Sequence, residues 1–318
     1  MSGIFYAVVF FSSGLLFSST ATADSVSDCS RIEDDSKRLE CFDLINSSPP
    51  PEYMSYLTKL WELDTDAVRG KYAIMPHRST YVLPVSYNHN PNVEPLQAAD
   101  PNADLLRAEV KFQISMKVKL WQDILGNPLD LWFGYTQKSF WQLYNFADSA
   151  PFRETNYEPE FLLNFRTDYN VFDLMRLRIV NLGLNHQSNG SSEPLSRSWN
   201  RILAEFGFER TDFTVLLKAW YRIPEEEEED DNPEMDDYLG YGELRSYYFF
   251  SKHRMGIMLR NNLKRHDNRG AMQLEWSIPF LEKTALYIQY FIGYGESLLD
   301  YDHSINRISI GFILMEWD

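Results

Sequence analysis

Apolar and polar residues alternate without a break over Glu109–Trp121. Val110, Phe112, Ile114, Met116, Val118 and Leu120 fall on one face; Glu109, Lys111, Gln113, Ser115, Lys117 and Lys119 fall on the other. A period of two is the mark of a β-strand. An apolar face backed by a face with several mid-strand lysines suits a wall between lipid and a polar lumen. Near the end of the chain Ile308, Ile310, Phe312 and Leu314 alternate with Arg307, Ser309 and Gly311 in the same way. Strand-like segments recur near 71–87, 107–121, 129–145, 157–169, 173–188, 197–209, 211–223, 237–250, 254–263, 268–279, 284–296 and 304–317. Their number is even, which suits barrel closure. The pattern predicts an all-β fold: a twelve-stranded antiparallel transmembrane β-barrel with a short N-terminal extension. Trp132, Tyr135, Trp141, Tyr144, Trp199, Trp220, Tyr221, Tyr247, Tyr248, Tyr287, Tyr290 and Tyr294 lie near strand ends and suit aromatic girdles at the two water–lipid interfaces. Ordinary strand aromatics in a soluble sandwich are the alternative, which fits poorly with lysines in mid-strand.

The first part of the chain follows other rules. Residues 1–23 read as a secretory signal, with an apolar stretch from Ile4 to Phe17 and Ala21-Thr22-Ala23 ahead of Asp24, although the start carries no Lys or Arg. Residues 24–70 form an extension with a linker at Ser47–Pro51 and a short amphipathic piece at Tyr53–Leu63; residues 71–318 form the barrel. Cys29 and Cys41 are the two cysteines, and an exported chain would join them in a disulfide.

Composition narrows the function. The net charge of −16 over 318 residues excludes a basic nucleic-acid footprint. Such acidity serves solubility, or supplies carboxylate-rich loops that hold divalent cations near an anionic surface. Glu225–Asp231 is a run of seven acidic residues between two predicted strands, a solvated loop by position.

The candidate chemistry lies at the end of one strand. Val180, Leu182 and Leu184 share a face with His186 and Ser188, while Asn181, Gly183, Asn185 and Gln187 take the other. Residues i and i+2 stand about 6.6 Å apart on a strand, so the imidazole and the hydroxyl are neighbours at the end of an apolar stripe. If the Gly/Ser/Pro loop that follows centres on Glu193, antiparallel pairing sets Ser188 opposite Ser198 and His186 opposite Asn200. Ser188, His186 and Asn200 then converge on the outer wall. A serine hydroxyl becomes a nucleophile when a base takes its proton. His186 is a suitable base, and Asn200 can hold the ring in one tautomer by accepting from Nδ1. The chemistry is acyl transfer to water, that is, ester hydrolysis. Taken alone such a set is a weak signal. The stripe leading to it and a loop able to supply an oxyanion hole strengthen it.

Asn185-His186-Gln187-Ser188-Asn189-Gly190 and Ser196-Arg197-Ser198-Trp199-Asn200-Arg201 resemble the signature of the outer membrane phospholipase A family. Further matches are Tyr135-Thr136-Gln137-Lys138-Ser139, Pro151-Phe152-Arg153-Glu154-Thr155-Asn156-Tyr157-Glu158-Pro159 and Gly293-Tyr294-Gly295-Glu296-Ser297-Leu298. The resemblance spans about residues 71–318. It implies a calcium-dependent homodimer in the bacterial outer membrane that hydrolyses acyl esters of phospholipids and lysophospholipids (A1/A2 type), with Ser188 as nucleophile, His186 as base and Asn200 orienting it. It implies an oxyanion held by the nucleophile's backbone N–H and calcium-bound water. It places Ca2+ at Ser196 and the carbonyls of Ser191 and Glu193, with Ser149 supplied across the dimer, Asp231 at a monomer calcium site and Gln137 in the interface. The chain departs from the family at Ser191 (often Arg), Glu193 (Asp), Gln187 (commonly Asp) and Asp318, where outer-membrane barrels end on an aromatic.

Two rival functions remain on the residues alone. A catalytically silent porin-like channel or receptor explains a barrel but not an outward His/Ser pair. A soluble secreted lipase of another fold would lack period-two stripes with a polar inner face. His77, His89, His253, His266 and His303 have no partner pattern and read as structural or exposed.

Overall fold

Thirteen strands join in one antiparallel sheet: β1 (Ile74–Pro76), β2 (Tyr81–Asn88), β3 (Ala108–Trp121), β4 (Leu129–Trp141), β5 (Phe152–Val171), β6 (Met175–Ser188), β7 (Ser198–Arg210), β8 (Phe213–Ile223), β9 (Gly242–Phe250), β10 (His253–Asn261), β11 (Gly270–Leu281), β12 (Thr284–Gly293) and β13 (Ile305–Leu314). The computed structural model describes residues 31–32, 34–39, 55–64, 67–226, 228 and 230–314. The signal segment 1–23, Cys29, Cys41, the linker Ser47–Pro51 and the terminal Trp317-Asp318 lie outside the described residues. The unit up to Tyr53 contributes a helical turn at 35–39, at whose start Lys37 N donates to Asp34 Oδ1 at 3.1 Å.

The sheet closes on itself. Both β1 and β2 pair with β3, so they share one position in the wall. β13 pairs with β2 and β3 pairs with β4, which completes a ring of twelve positions as the alternation predicts. The strand expected near 71–87 is broken at residues 77–80. Pro76 has no N–H to offer a ladder, and the two residues after it turn into the lumen. There His77 Nε2 meets Glu160 Oε1 and Arg78 Nη1 meets Glu158 Oε2, each at 2.5 Å. His77 is therefore a partnered lumen residue.

Other boundaries also differ from expectation. β5 begins at Phe152 rather than 157, and β4 ends at Trp141 rather than 145. The start of the segment expected as strand at 237–250 is helical. Helix α1 spans Tyr56–Trp61, α2 spans Glu94–Ala99 and α3 spans Met235–Leu239, where Gly240 at φ +66° stops the turn before β9 begins.

The alternation sorts the two faces. Ile114, Leu182, Leu184, Ile202, Ile308, Ile310 and Phe312 are exposed on the outer wall, while Lys111, Lys117, Lys119 and Arg307 are buried inside. That inversion is stable only where lipid replaces water outside. Five of the aromatics expected in the girdles instead point inwards: Trp132, Trp199, Trp220, Tyr247 and Tyr287 are buried. Their positions alternate with lipid-facing residues, and each fills the lumen rather than its rim.

Part of the amphipathic piece at Tyr53–Leu63 explains why the lumen needs them. Ser55 caps α1 by accepting from Thr58 N at 3.2 Å. Leu57, Leu60 and Trp61 then pack with Trp132, Trp199, Leu203 and Trp220 in one apolar cluster. Trp61 meets Trp132 edge-on at 5.8 Å, and the Lys117 ammonium sits 3.1 Å from the Trp61 ring centre, a cation–π contact that offsets its burial. At the other end the loop after β12 folds inwards. Glu296 bonds Lys111 (2.8 Å) and Arg307 (2.7 Å), Arg307 bonds Glu109 (2.7 Å), and Arg153 bridges Glu109 (3.1 Å) and Asp300 (2.9 Å). These side chains and α1 fill the interior, in contrast to an open porin channel.

Removing one member of a buried ion-pair network weakens the compensation of the charges that remain. Arg307→Met takes one of two cationic partners from each of Glu109 and Glu296, leaving Glu109 with Arg153 and Glu296 with Lys111. It is expected to lower stability by about 3–5 kcal/mol, read as an earlier urea midpoint for the barrel refolded in micelles; an unchanged midpoint would contradict the role of this network.

Candidate active site

β6 and β7 pair in the register expected from the loop centred on Glu193: His186 lies opposite Asn200 and Ser188 opposite Ser198. His186 is exposed beside Leu182 and Leu184, and Ser188 and Asn200 are half-buried. The apolar stripe thus leads to these groups on the outer wall. His186 Nδ1 and Asn200 Oδ1 are 2.8 Å apart. An amide oxygen only accepts, so Nδ1 carries the proton and Nε2 is the basic nitrogen. Ser188 stands two residues along the same strand face. Among the described residues no hydrogen bond joins its hydroxyl to the ring, a separation that substrate-free hydrolytic sites often have.

The inner face holds this wall in place. Asn185 Nδ2 donates to Glu158 Oε1 at 2.9 Å, and Arg201 reaches Asn185 Oδ1 (2.5 and 3.0 Å) and Glu158 Oε1 (3.0 Å). Trp199 Nε1 donates to Gln187 Oε1 at 2.9 Å, and Arg201 stacks 3.9 Å above the Trp199 ring centre. The residues between the outward groups therefore lock β5, β6 and β7 together, which fixes the strands that carry His186 and Asn200.

The predicted calcium residues occupy one rim. The loop before β5 and the loop after β6 lie at the same end, because Tyr157 pairs with Ser188. Ser196 Oγ donates to Asp231 Oδ2 at 2.5 Å, which brings these two together. Ser191 and Glu193 are exposed in the same loop as Ser196. Ser149 is exposed in the loop before β5, and among the described residues no hydrogen bond links it to the other four. No group of three or more His, Cys, Asp or Glu side chains that could hold a metal ion occurs among the described residues. A cation at this rim would depend on hydroxyls and carbonyls, the hard oxygen donors that calcium accepts, with one carboxylate already at Ser196. Gln137 lies on the row through Tyr157 and Ser188. It accepts from Tyr135 Oη and donates to Ser139 Oγ, both at 3.2 Å.

One contact was not anticipated from sequence. Asn200 Nδ2 donates to Glu225 Oε1 at 2.9 Å. Glu225 opens the acidic run, whose repetition conceals which carboxylate is placed. The pairing of Asn200 with Ile223 is the signal that would have found it.

The phospholipase A1 family model matches residues 57–314. The chain belongs to the phospholipase A1 family. A phospholipase A1 of Klebsiella pneumoniae is 38% identical over 263 residues, covering 79% of this chain and 90% of the relative. The fold also matches the dimer of Salmonella typhi outer membrane phospholipase with bound calcium, at TM-score 0.73 and 35% identity over 82% of this chain and 98% of that one. An active-site mutant of Escherichia coli outer membrane phospholipase A, in which alanine replaces an asparagine, matches at TM-score 0.73 and 35% identity, covering 83% and 98%. The family match begins inside α1, so in this phospholipase A1 family member the lumen helix belongs with the barrel.

Gly190, two residues after Ser188, takes φ +64°, and an added Cβ would come within 3.2 Å of Tyr157. An L-residue in that region costs about 1–2 kcal/mol. Gly190→Ala is expected to lower the unfolding midpoint accordingly and to slow hydrolysis several-fold by shifting the loop. Wild-type stability and rate together would show that the loop does not depend on this conformation.

Proposed function

We propose that the protein is an exported, calcium-dependent outer-membrane phospholipase. On this reading it cleaves the acyl esters of phospholipids and lysophospholipids at either glycerol position, through Ser188, His186 and Asn200. The 2.8 Å bond from His186 to Asn200 on the lipid-facing wall supports it above all. A polar pair exposed on a lipid-facing wall costs free energy, which a catalytic role would explain. Family membership and the asparagine of the E. coli active-site mutant support it further.

In this mechanism the acyl chain of a phospholipid lies along the stripe of Leu182 and Leu184. His186 Nε2 takes the Ser188 proton as Oγ bonds to the ester carbonyl carbon. The tetrahedral intermediate collapses, the C–O bond to the alcohol breaks, and the imidazolium returns the proton to the leaving oxygen. Water then attacks the acyl-serine with His186 again as base, which releases fatty acid and restores Ser188. Asn200 keeps Nδ1 protonated throughout. The outer wall solves the access problem, since the substrate diffuses laterally in the bilayer to the site.

Calcium would be held by Ser196, the carbonyls of Ser191 and Glu193, and Asp231, with Ser149 supplied by a second copy. When bound it supplies positive charge beside the carbonyl oxygen. The calcium-bound S. typhi dimer supports both the metal and the homodimer. Gln137, polar on a lipid-facing row, would pair across that interface.

Ser188→Ala should abolish phospholipid hydrolysis while the barrel still refolds, and Asn200→Ala should lower kcat at least tenfold, as expected for loss of the ring's orienting partner. Residual wild-type turnover in Ser188→Ala would end the serine mechanism. Chelation should suppress both turnover and dimer formation, whereas full activity in excess chelator would remove calcium from the reaction.

A further inference from the structure

We propose that Glu225 is a positioning residue of the hydrolytic site, acting through Asn200; this rests on the Ser188/His186/Asn200 reading above. An asparagine side chain has an accepting end and a donating end, and the two differ little in shape. Turned over, Asn200 would offer its NH2 to His186 Nδ1. The ring proton would then sit on Nε2, and the nitrogen facing Ser188 could no longer act as base. A carboxylate only accepts. With Glu225 Oε1 at 2.9 Å from Asn200 Nδ2, the NH2 end is captured and Oδ1 is committed to His186 at 2.8 Å. The flipped amide would set oxygen against oxygen at Glu225.

The same contact supplies charge. A neutral asparagine stabilises an imidazolium less than a carboxylate would. A carboxylate on the outer wall, however, would bury an unpaired charge against lipid. Glu225 avoids that cost. It lies two residues past Ile223, the last residue of β8 and the cross-strand partner of Asn200. It therefore stands beyond the strand end, one amide away from the ring, where hydrogen bonds in series polarise one another.

Glu225 also differs from the other described glutamates of its run. It is half-buried, while Glu226 and Glu228 are exposed. Asp230 is held by Arg222 at 2.6 Å and Asp231 by Ser196 at 2.5 Å. Among the described acids of the run, Glu225 alone bonds a residue of the Ser/His/Asn set.

Steady-state hydrolysis of a dispersed phospholipid by the full chain in detergent, across a calcium titration, tests this. Glu225→Ala is expected to lower kcat about tenfold at saturating calcium with KM unchanged, the scale of one charge-assisted hydrogen bond. Glu225→Gln, which keeps an accepting oxygen, should recover part of that loss. In an Asn200→Ala background Glu225→Ala should cost nothing more, because both changes break one chain. Asn200→Asp should be poorly active through repulsion of two carboxylates, and adding Glu225→Gln should raise its rate. An unchanged kcat in Glu225→Ala, a loss cured by excess calcium, or the same loss again in the Asn200→Ala background would each overturn the proposal. Ser188→Ala run alongside separates the two levels. Activity there removes the serine site itself, whereas an inactive Ser188→Ala beside a full-rate Glu225→Ala removes only Glu225.

Discussion

The bond between His186 and Asn200 crosses from β6 to β7, and it exists because the two strands pair in one register and no other. Strand alternation has a period of two, so a slip of one residue would send His186 into the lumen and Asn185 into lipid. The long outer stripe of leucines and isoleucines forbids that slip, because it would turn every one of them inwards. Lipid-facing hydrophobicity thus sets the register, and the register brings an imidazole to an amide on a wall that otherwise carries few polar groups.

Register alone does not give a rigid site. Rigidity comes from the face behind it, where Glu158, Asn185 and Arg201 bond one another across three adjacent strands. A barrel that conducted solutes would need that space open. Here α1 enters with Leu57 and Trp61 at one level, and Glu296 and Asp300 close over Lys111, Arg153 and Arg307 at another. The interior serves as the buried polar core of the barrel, and the His186–Asn200 pair lies on the outside.

Much of this was legible from residue order. The alternation in Glu109–Trp121 and in the last strand predicts barrel, face and closure, and the spacing of His186, Ser188 and Asn200 predicts their pairing. What the pattern did not reveal was long-range. Pro76 is a local mark of a broken wall strand, but nothing local says that Arg78 then turns inwards to reach Glu158. Trp132, Trp199 and Trp220 look like girdle residues until α1 is known to need partners inside. Glu225 is hidden among identical neighbours, and only the end of β8 distinguishes it. Motifs that looked like separate signatures, Arg153 to Asn156 and Glu296 to Leu298, turn out to be two sides of one contact: Leu298 N donates to Asn156 Oδ1 at 3.0 Å and Leu299 N to Glu154 Oε1 at 2.8 Å.

On the proposed mechanism, Ser188 on the lipid-facing wall is made nucleophilic by its neighbour His186. Covalent labelling with a long-chain alkylphosphonofluoridate, followed by peptide mapping, tests it directly. One adduct per chain is expected, on Ser188, and it should be lost in His186→Ala. Labelling at another residue, or equal labelling of Ser188 without His186, would contradict it.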